Sequence, residues 1–150
     1  MTPRVSKRLL TYVFLAGPLF AGSAPAAPLQ RWLAVSNTAS SITGDVQFGP
    51  TSIIFANRAA LKLTPAGSAE GRTWADSMQN QAVQLYKIEG AQNSRLLNGN
   101  YLCGSKTHPT FLSVLEHGND IYLTVFSGNG VPTVKDYASR ICAGFSYALK

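Results

Sequence analysis

The amino-acid sequence predicts an all-β fold, either a small antiparallel barrel or a two-sheet sandwich of about eight strands, with room for one short helix. Three observations carry this reading. Beyond Trp32 the apolar residues come in short runs separated by clusters of Gly, Pro, Asn and Ser, which punctuate strands and turns rather than long helices. Over residues 42–48, apolar Ile42, Val46 and Phe48 alternate with polar Thr43, Asp45 and Gln47, so that one face is buried and the other wet. Residues 110–116 and 121–127 are β-rich runs joined by His117, Gly118, Asn119 and Asp120, whose turn chemistry marks the clearest hairpin in the chain.

The chain opens with Arg4, Lys7 and Arg8, continues through an apolar stretch over residues 9–22, and reaches Ser23, Ala24, Pro25, Ala26 and Ala27. Positive, apolar and small residues in that order form an export signal, and Ala24 with Ala26 supplies the A-x-A pattern for cleavage after residue 26. The apolar stretch is shorter than the ~20 residues of a membrane-crossing helix and contains Pro18, which argues against a retained anchor. Residues 27–150 are then expected to form a single domain around one core. Three of the 13 Lys and Arg leave with the leader, so the mature balance is +3 (10 basic against 7 acidic) rather than +6. Such mild basicity gives no footing for nucleic-acid binding. Export places the protein in a periplasmic or extracellular, oxidising compartment, where the two cysteines, Cys103 and Cys142, are expected to pair. Closing that loop stabilises a fold by about 3 to 4 kcal/mol.

Within the mature chain, residues 32–35 read as a first short strand and residues 36–41 as a polar loop. Gly49 and Pro50 end the alternating strand, because proline cannot donate to a ladder. Residues 52–56 and 60–63 flank Asn57 and Arg58, a tight hairpin turn. Pro65, Gly67 and Gly71 then place a loop, after which the pattern fits two descriptions. In one, Thr73 caps a short helix over residues 73–81, with Trp74, Met78, Ala82 and Leu85 on one face; in the other, a surface loop runs into a strand over residues 82–88.

Asn98 and Gly99 favour positive φ and hence a turn, followed by a strand with Tyr101 and Cys103 on one face and Leu102 on the other. The hairpin strands 110–116 and 121–127 are apolar on both faces, as in central or covered strands. Residues 127–133 read as a loop and residues 134–140 as one helical turn. In the last strand, residues 141–149, Ile141, Ala143, Phe145 and Tyr147 alternate with Cys142, Gly144, Ser146 and Ala148, leaving the cysteine on the small-residue face.

The segments Asn98-Gly99-Asn100-x-Leu102-Cys103-Gly104 and Cys142-x-x-Phe145-x-Tyr147 resemble a pattern of small exported bacterial proteins with no assigned activity. The resemblance covers the C-terminal third of the chain and implies export and the bridge, but no chemistry. In architecture alone, an exported β domain with one bridge is similar to the periplasmic lysozyme inhibitors and the small barrel inhibitors of secreted metalloproteases. The Ser-Gly-x-x-Tyr segment of the membrane-bound lysozyme inhibitors is missing, since Ser127-Gly128 is followed by Asn129, Gly130 and Val131. No functional residue is carried over, and the likeness is one of shape.

Catalysis finds little support. A triad hydrolase needs a nucleophile, a base and an orienting acid, yet His117 opens a turn, His108 precedes Pro109 in a polar loop, and no G-x-S-x-G elbow occurs. Most carboxylates sit in or beside turns, while Asp45, on the wet face of its strand, reads as a cross-strand partner. The histidines and cysteines do not make a zinc set, and neither a calcium loop nor a glycine-rich phosphate loop is present, so no cofactor is expected. The expected function is therefore that of an exported, non-enzymatic binding protein of the cell envelope. Its candidate contact is the loop from Gly104 to Thr110, where Ser105, Lys106 and His108 would be held by the bridge at Cys103 and offered to an envelope hydrolase, Lys106 entering an acidic cleft. Two alternatives are a small barrel that encloses an apolar ligand, lined by Tyr86, Tyr101, Phe111, Tyr122, Phe126 and Phe145, and an uncharacterised hydrolase.

Overall fold

In a closed barrel, side-chain alternation assigns each strand residue to the interior or to the wall, so register decides what is core. The computed structural model describes residues 27–70, 82–90, 92–133 and 137–150. The export signal expected over residues 1–26 and the helix considered over residues 73–81 lie outside them. The strands are β1 (Gln30–Ala34), β2 (Val46–Gly49), β3 (Ser52–Ile54), β4 (Ala60–Glu70), β5 (Ala82–Ile88), β6 (Phe111–His117), β7 (Asp120–Phe126) and β8 (Ile141–Leu149). Each pairs antiparallel with the next, and β8 returns to β1 through Trp32 opposite Leu149 and Ala34 opposite Tyr147. The all-β expectation thus resolves into an up-and-down barrel rather than a sandwich. Closure removes the unpaired edges that an open sheet of eight strands would expose. Among the described residues, no helix is long and apolar enough to cross a membrane.

The inward positions form the main core: Trp32, Val46, Phe48, Ile53, Leu61, Leu112, Leu123, Phe145 and Tyr147 all belong to one buried cluster. The interior space among Ile53, Leu61, Leu112, Leu123 and Phe145 is about 10 Å³. That is no more than one water molecule needs, so these side chains pack against one another. The alternate positions of β5, β6 and β7 make a second cluster of Val83, Leu85, Phe111, Leu115 and Phe126. Val83 and Phe126 are fully buried, which explains why these strands carry apolar residues on both faces.

Several expectations are revised. Residues 39–43 are not the end of a loop and the start of a strand but a helical turn, Ala39–Thr43, closed by the Gly44 N–H donating to the Ala39 carbonyl at 2.8 Å. The Ala39 N–H donates to Ser36 Oγ at 3.1 Å, while the Ser40 and Ser41 hydroxyls donate back to the Ser36 and Asn37 carbonyls. These short side chains compete for the backbone and favour the turn over the ladder. Gly44, at φ 62°, ends the turn in a space so tight that an added Cβ would sit 2.5 Å from Ala56 Cβ.

Strand β4 runs on to Glu70 instead of ending at Leu63. Pro65 and Gly67 are absorbed at a bulge where the register with β5 shifts, the place where a strand tolerates proline. Residues 82–88 are a strand, so Ala82 and Leu85 lie on a sheet and not on a helix. Residues 98–104 form no strand: Leu97–Gly99 is a tight turn with Asn98 and Gly99 at φ 54° and 77°, and only Leu102 of the next three residues is buried. The β6–β7 hairpin and the last strand take the expected places, and a single helical turn, α1 (Tyr137–Arg140), precedes β8.

One buried polar chain joins the Ala39–Thr43 turn to the barrel. Thr43 Oγ1 donates to the Ala39 carbonyl at 3.0 Å, which uses its single proton. The Tyr147 hydroxyl, 2.6 Å from the same oxygen, must then be the donor to Thr43. Burial pushes the Tyr147 hydroxyl well above the ordinary phenol range, so it keeps this proton at any physiological pH.

Candidate functional site

The loop after Cys103 is fixed by chemistry on both sides. Cys103 is bonded to Cys142, with 4.7 Å between their Cα atoms, which ties the loop to the start of β8. Asn93 reaches across to donate its side-chain N–H to the carbonyls of Gly104 at 2.9 Å and Ser105 at 3.1 Å. At the far end Pro109 is buried, and Thr110 donates its backbone N–H to the Phe126 carbonyl at 2.8 Å and its hydroxyl to the Gly128 carbonyl at 2.7 Å. Between these anchors Ser105, Lys106, Thr107 and His108 are all exposed. Lys106 and His108 have no side-chain hydrogen bond or ion pair among the described residues. The backbone is thus held while the side chains stay available, the arrangement of a pre-ordered contact loop.

The aromatic residues considered as a ligand lining are not gathered around one space. Tyr86 is half-buried and packs edge-on against Phe48, with 5.6 Å between ring centroids. Tyr101 lies half-buried in the loop region, and Phe145 is part of the filled core. Phe111, Tyr122 and Phe126 belong to the second cluster on the other face of the wall. Among the described residues, no three His, Cys, Asp or Glu side chains come together as metal ligands.

A second feature was not read from the sequence as a site. Arg31, Asp45, Gln47, Ile54, Phe55 and Arg58 line an open groove of about 310 Å³ over β1, β2 and β3. Asp45 is the cross-strand partner the alternation implied: Oδ2 accepts from Arg31 Nη2 at 3.2 Å and Oδ1 from the Ala34 N–H at 3.0 Å. The Ala34 hydrogen bond, with help from Arg31, holds its carboxyl below the usual carboxylate range despite partial desolvation. Arg31 and Asp45 are 14 positions apart, and only the β1–β2 register brings them together. Asn93 was also missed, since a single asparagine in a loop gives no sign of which carbonyls it will reach.

Comparison with protein-family models, with curated proteins and with solved structures gives no significant match.

Proposed function

We propose that this protein is an exported, non-enzymatic binding module of the cell envelope that presents the loop from Gly104 to Thr110 to a hydrolase. The observation that carries the reading is the contrast within this loop: a backbone clamped by a disulfide, by Asn93 and by Thr110, and exposed side chains of Ser105, Lys106 and His108 that have no hydrogen-bond or ion-pair partner among the described residues. Docking such a loop costs little ordering entropy, and a lone ammonium suits the acidic cleft of a cell-wall-cutting glycosidase. The disulfide fits an oxidising compartment. Enclosure of an apolar ligand has less behind it, because a ligand site needs roughly 300 Å³ or more and the space among Ile53, Leu61, Leu112, Leu123 and Phe145 is about 10 Å³.

The test is inhibition by the oxidised mature protein of muramidases and of secreted proteases, with initial rates followed against protein concentration. Inhibition of at least one enzyme is expected, weakened roughly tenfold or more by Lys106→Glu, as for a charge at the centre of a contact. Rates that stay unchanged with either protein, or inhibition indifferent to Lys106→Glu, would remove the loop from consideration.

A further inference from the structure

We infer that the groove between Arg31, Asp45 and Arg58 is a binding site for an oxyanion, a carboxylate or phosphate group carried by a small ligand or a lipid headgroup. The argument begins with Arg58. It sits at φ 67°, a left-handed conformation that glycine or asparagine adopts at less cost, in the turn between β3 and β4. That turn is fixed: the Phe55 N–H donates to the Ala59 carbonyl at 2.9 Å and the Arg58 N–H to the Phe55 carbonyl at 2.9 Å. Asn57 adds two more ties, accepting from the Ala59 N–H at 3.1 Å and donating to the Arg95 carbonyl at 2.9 Å. An arginine at a left-handed turn position points to a task for its side chain, since the backbone alone would be better served by another residue.

Arg58 is one of the residues that line the groove, and its side chain has no hydrogen bond or ion pair among the described residues. Arg31, also in the lining, is oriented by Asp45, which takes one of its five N–H donors and leaves the rest for a ligand. Two arginines and one carboxylate are among the residues that line this groove, so its lining carries an excess positive charge, and planar guanidinium forks match carboxylate and phosphate oxygens in pairs. A volume of about 310 Å³ is that of a small-ligand site rather than of a protein interface. This inference is independent of the loop around Lys106 and stands or falls separately.

The decisive experiment follows the arginine side-chain and turn amide resonances of the ¹⁵N-labelled mature protein during titration with inorganic phosphate and, separately, with acetate. A parallel arm measures co-sedimentation with phosphatidylglycerol vesicles against phosphatidylcholine vesicles. Arg58→Gly is the control, because glycine suits φ 67° and the variant should keep or raise the melting temperature while losing the guanidinium. Saturable shifts confined to Arg31, Arg58 and their neighbours with a free anion, lost in Arg58→Gly, support a small-ligand site. Binding to phosphatidylglycerol vesicles alone, lost in the same variant, supports the site and assigns it to a headgroup. Binding that survives Arg58→Gly, shifts that rise without saturation over all basic residues, or no binding by any probe would overturn the inference.

Discussion

The β6–β7 hairpin and the 92–110 segment are neighbours in the chain and are held by different forces. In the hairpin, seven register pairs from Phe111–Phe126 to His117–Asp120 form one ladder, and both faces are apolar and largely buried. In the 92–110 segment no strand forms, and order comes from single bonds: the disulfide, the Asn93 clamp, and the Asn98 and Asn100 side chains that both donate to the Ser41 carbonyl at 3.0 and 3.3 Å. Only Leu96 and Leu102 of this segment enter the main core. A ladder spreads its stabilisation over many equivalent contacts, whereas a set of specific bonds concentrates it. The first should fail globally when its core is cut, and the second locally when one bond is cut.

The largest effect tests the ladder side. Phe145 lies on β8 in the packed interior, 3 % exposed, beside a space of only about 10 Å³. Phe145→Ala should cost about 3 to 5 kcal/mol, from lost transfer energy and the cavity left behind. Denaturant unfolding should show a single earlier transition, with circular dichroism and tryptophan fluorescence moving together. Separate transitions for the two signals would show that the barrel does not unfold as one unit.

A somewhat smaller effect tests the other side. Cleaving the Cys103–Cys142 bond releases a closure of 39 positions and should lower stability by about 2 to 4 kcal/mol. Hydrogen exchange before and after reduction should lose protection mainly around residues 96–104, where the Leu96 N–H donates to the Asn100 carbonyl at 2.7 Å, while β6 and β7 amides keep most of theirs. Uniform loss over the barrel would mean that the bridge supports the ladder as well, and the contrast between the two regions would dissolve.

The same contrast decides what could be read in the sequence. Alternation and turn residues placed the hairpin and the last strand, because a ladder writes its periodicity directly into the chain. The closed barrel emerged from an expectation that admitted a sandwich, since closure depends on β8 meeting β1 and no local pattern encodes that pairing. The strand expected around Cys103 was misread for a related reason: Tyr101, Leu102 and Cys103 imitate alternation, but Asn98, Asn93 and the disulfide fix their backbone in a non-repeating path. Ser105, Lys106 and His108 were singled out because the bridge beside them was legible. The groove at Arg31 and Arg58 was not, because it gathers residues from separate strands and a turn through register alone.

The smallest effect sharpens the comparison on the barrel side, where polar ties should matter little. Asp45 and Arg31 are a partly exposed pair, at 39 % and 53 % of their side-chain surface, so water screens their attraction. The Ala34 hydrogen bond, and then Arg31, lower the folded-state pKa of Asp45. Its contribution is therefore fully present above the unfolded carboxylate value of about 4 and is lost as pH falls through the lower folded value. Glu89, lowered by the Thr64 side-chain hydrogen bond and by Lys87, titrates in the same acid window, so wild type alone cannot isolate Asp45. The difference in melting temperature between wild type and Asp45→Asn does isolate it. That difference should favour wild type at pH 7 by an amount equivalent to less than about 1 kcal/mol and shrink toward pH 2. A gap of several kcal/mol would place a polar bond among the main supports of the barrel, and a gap that widens in acid would reverse the sign assigned to Asp45.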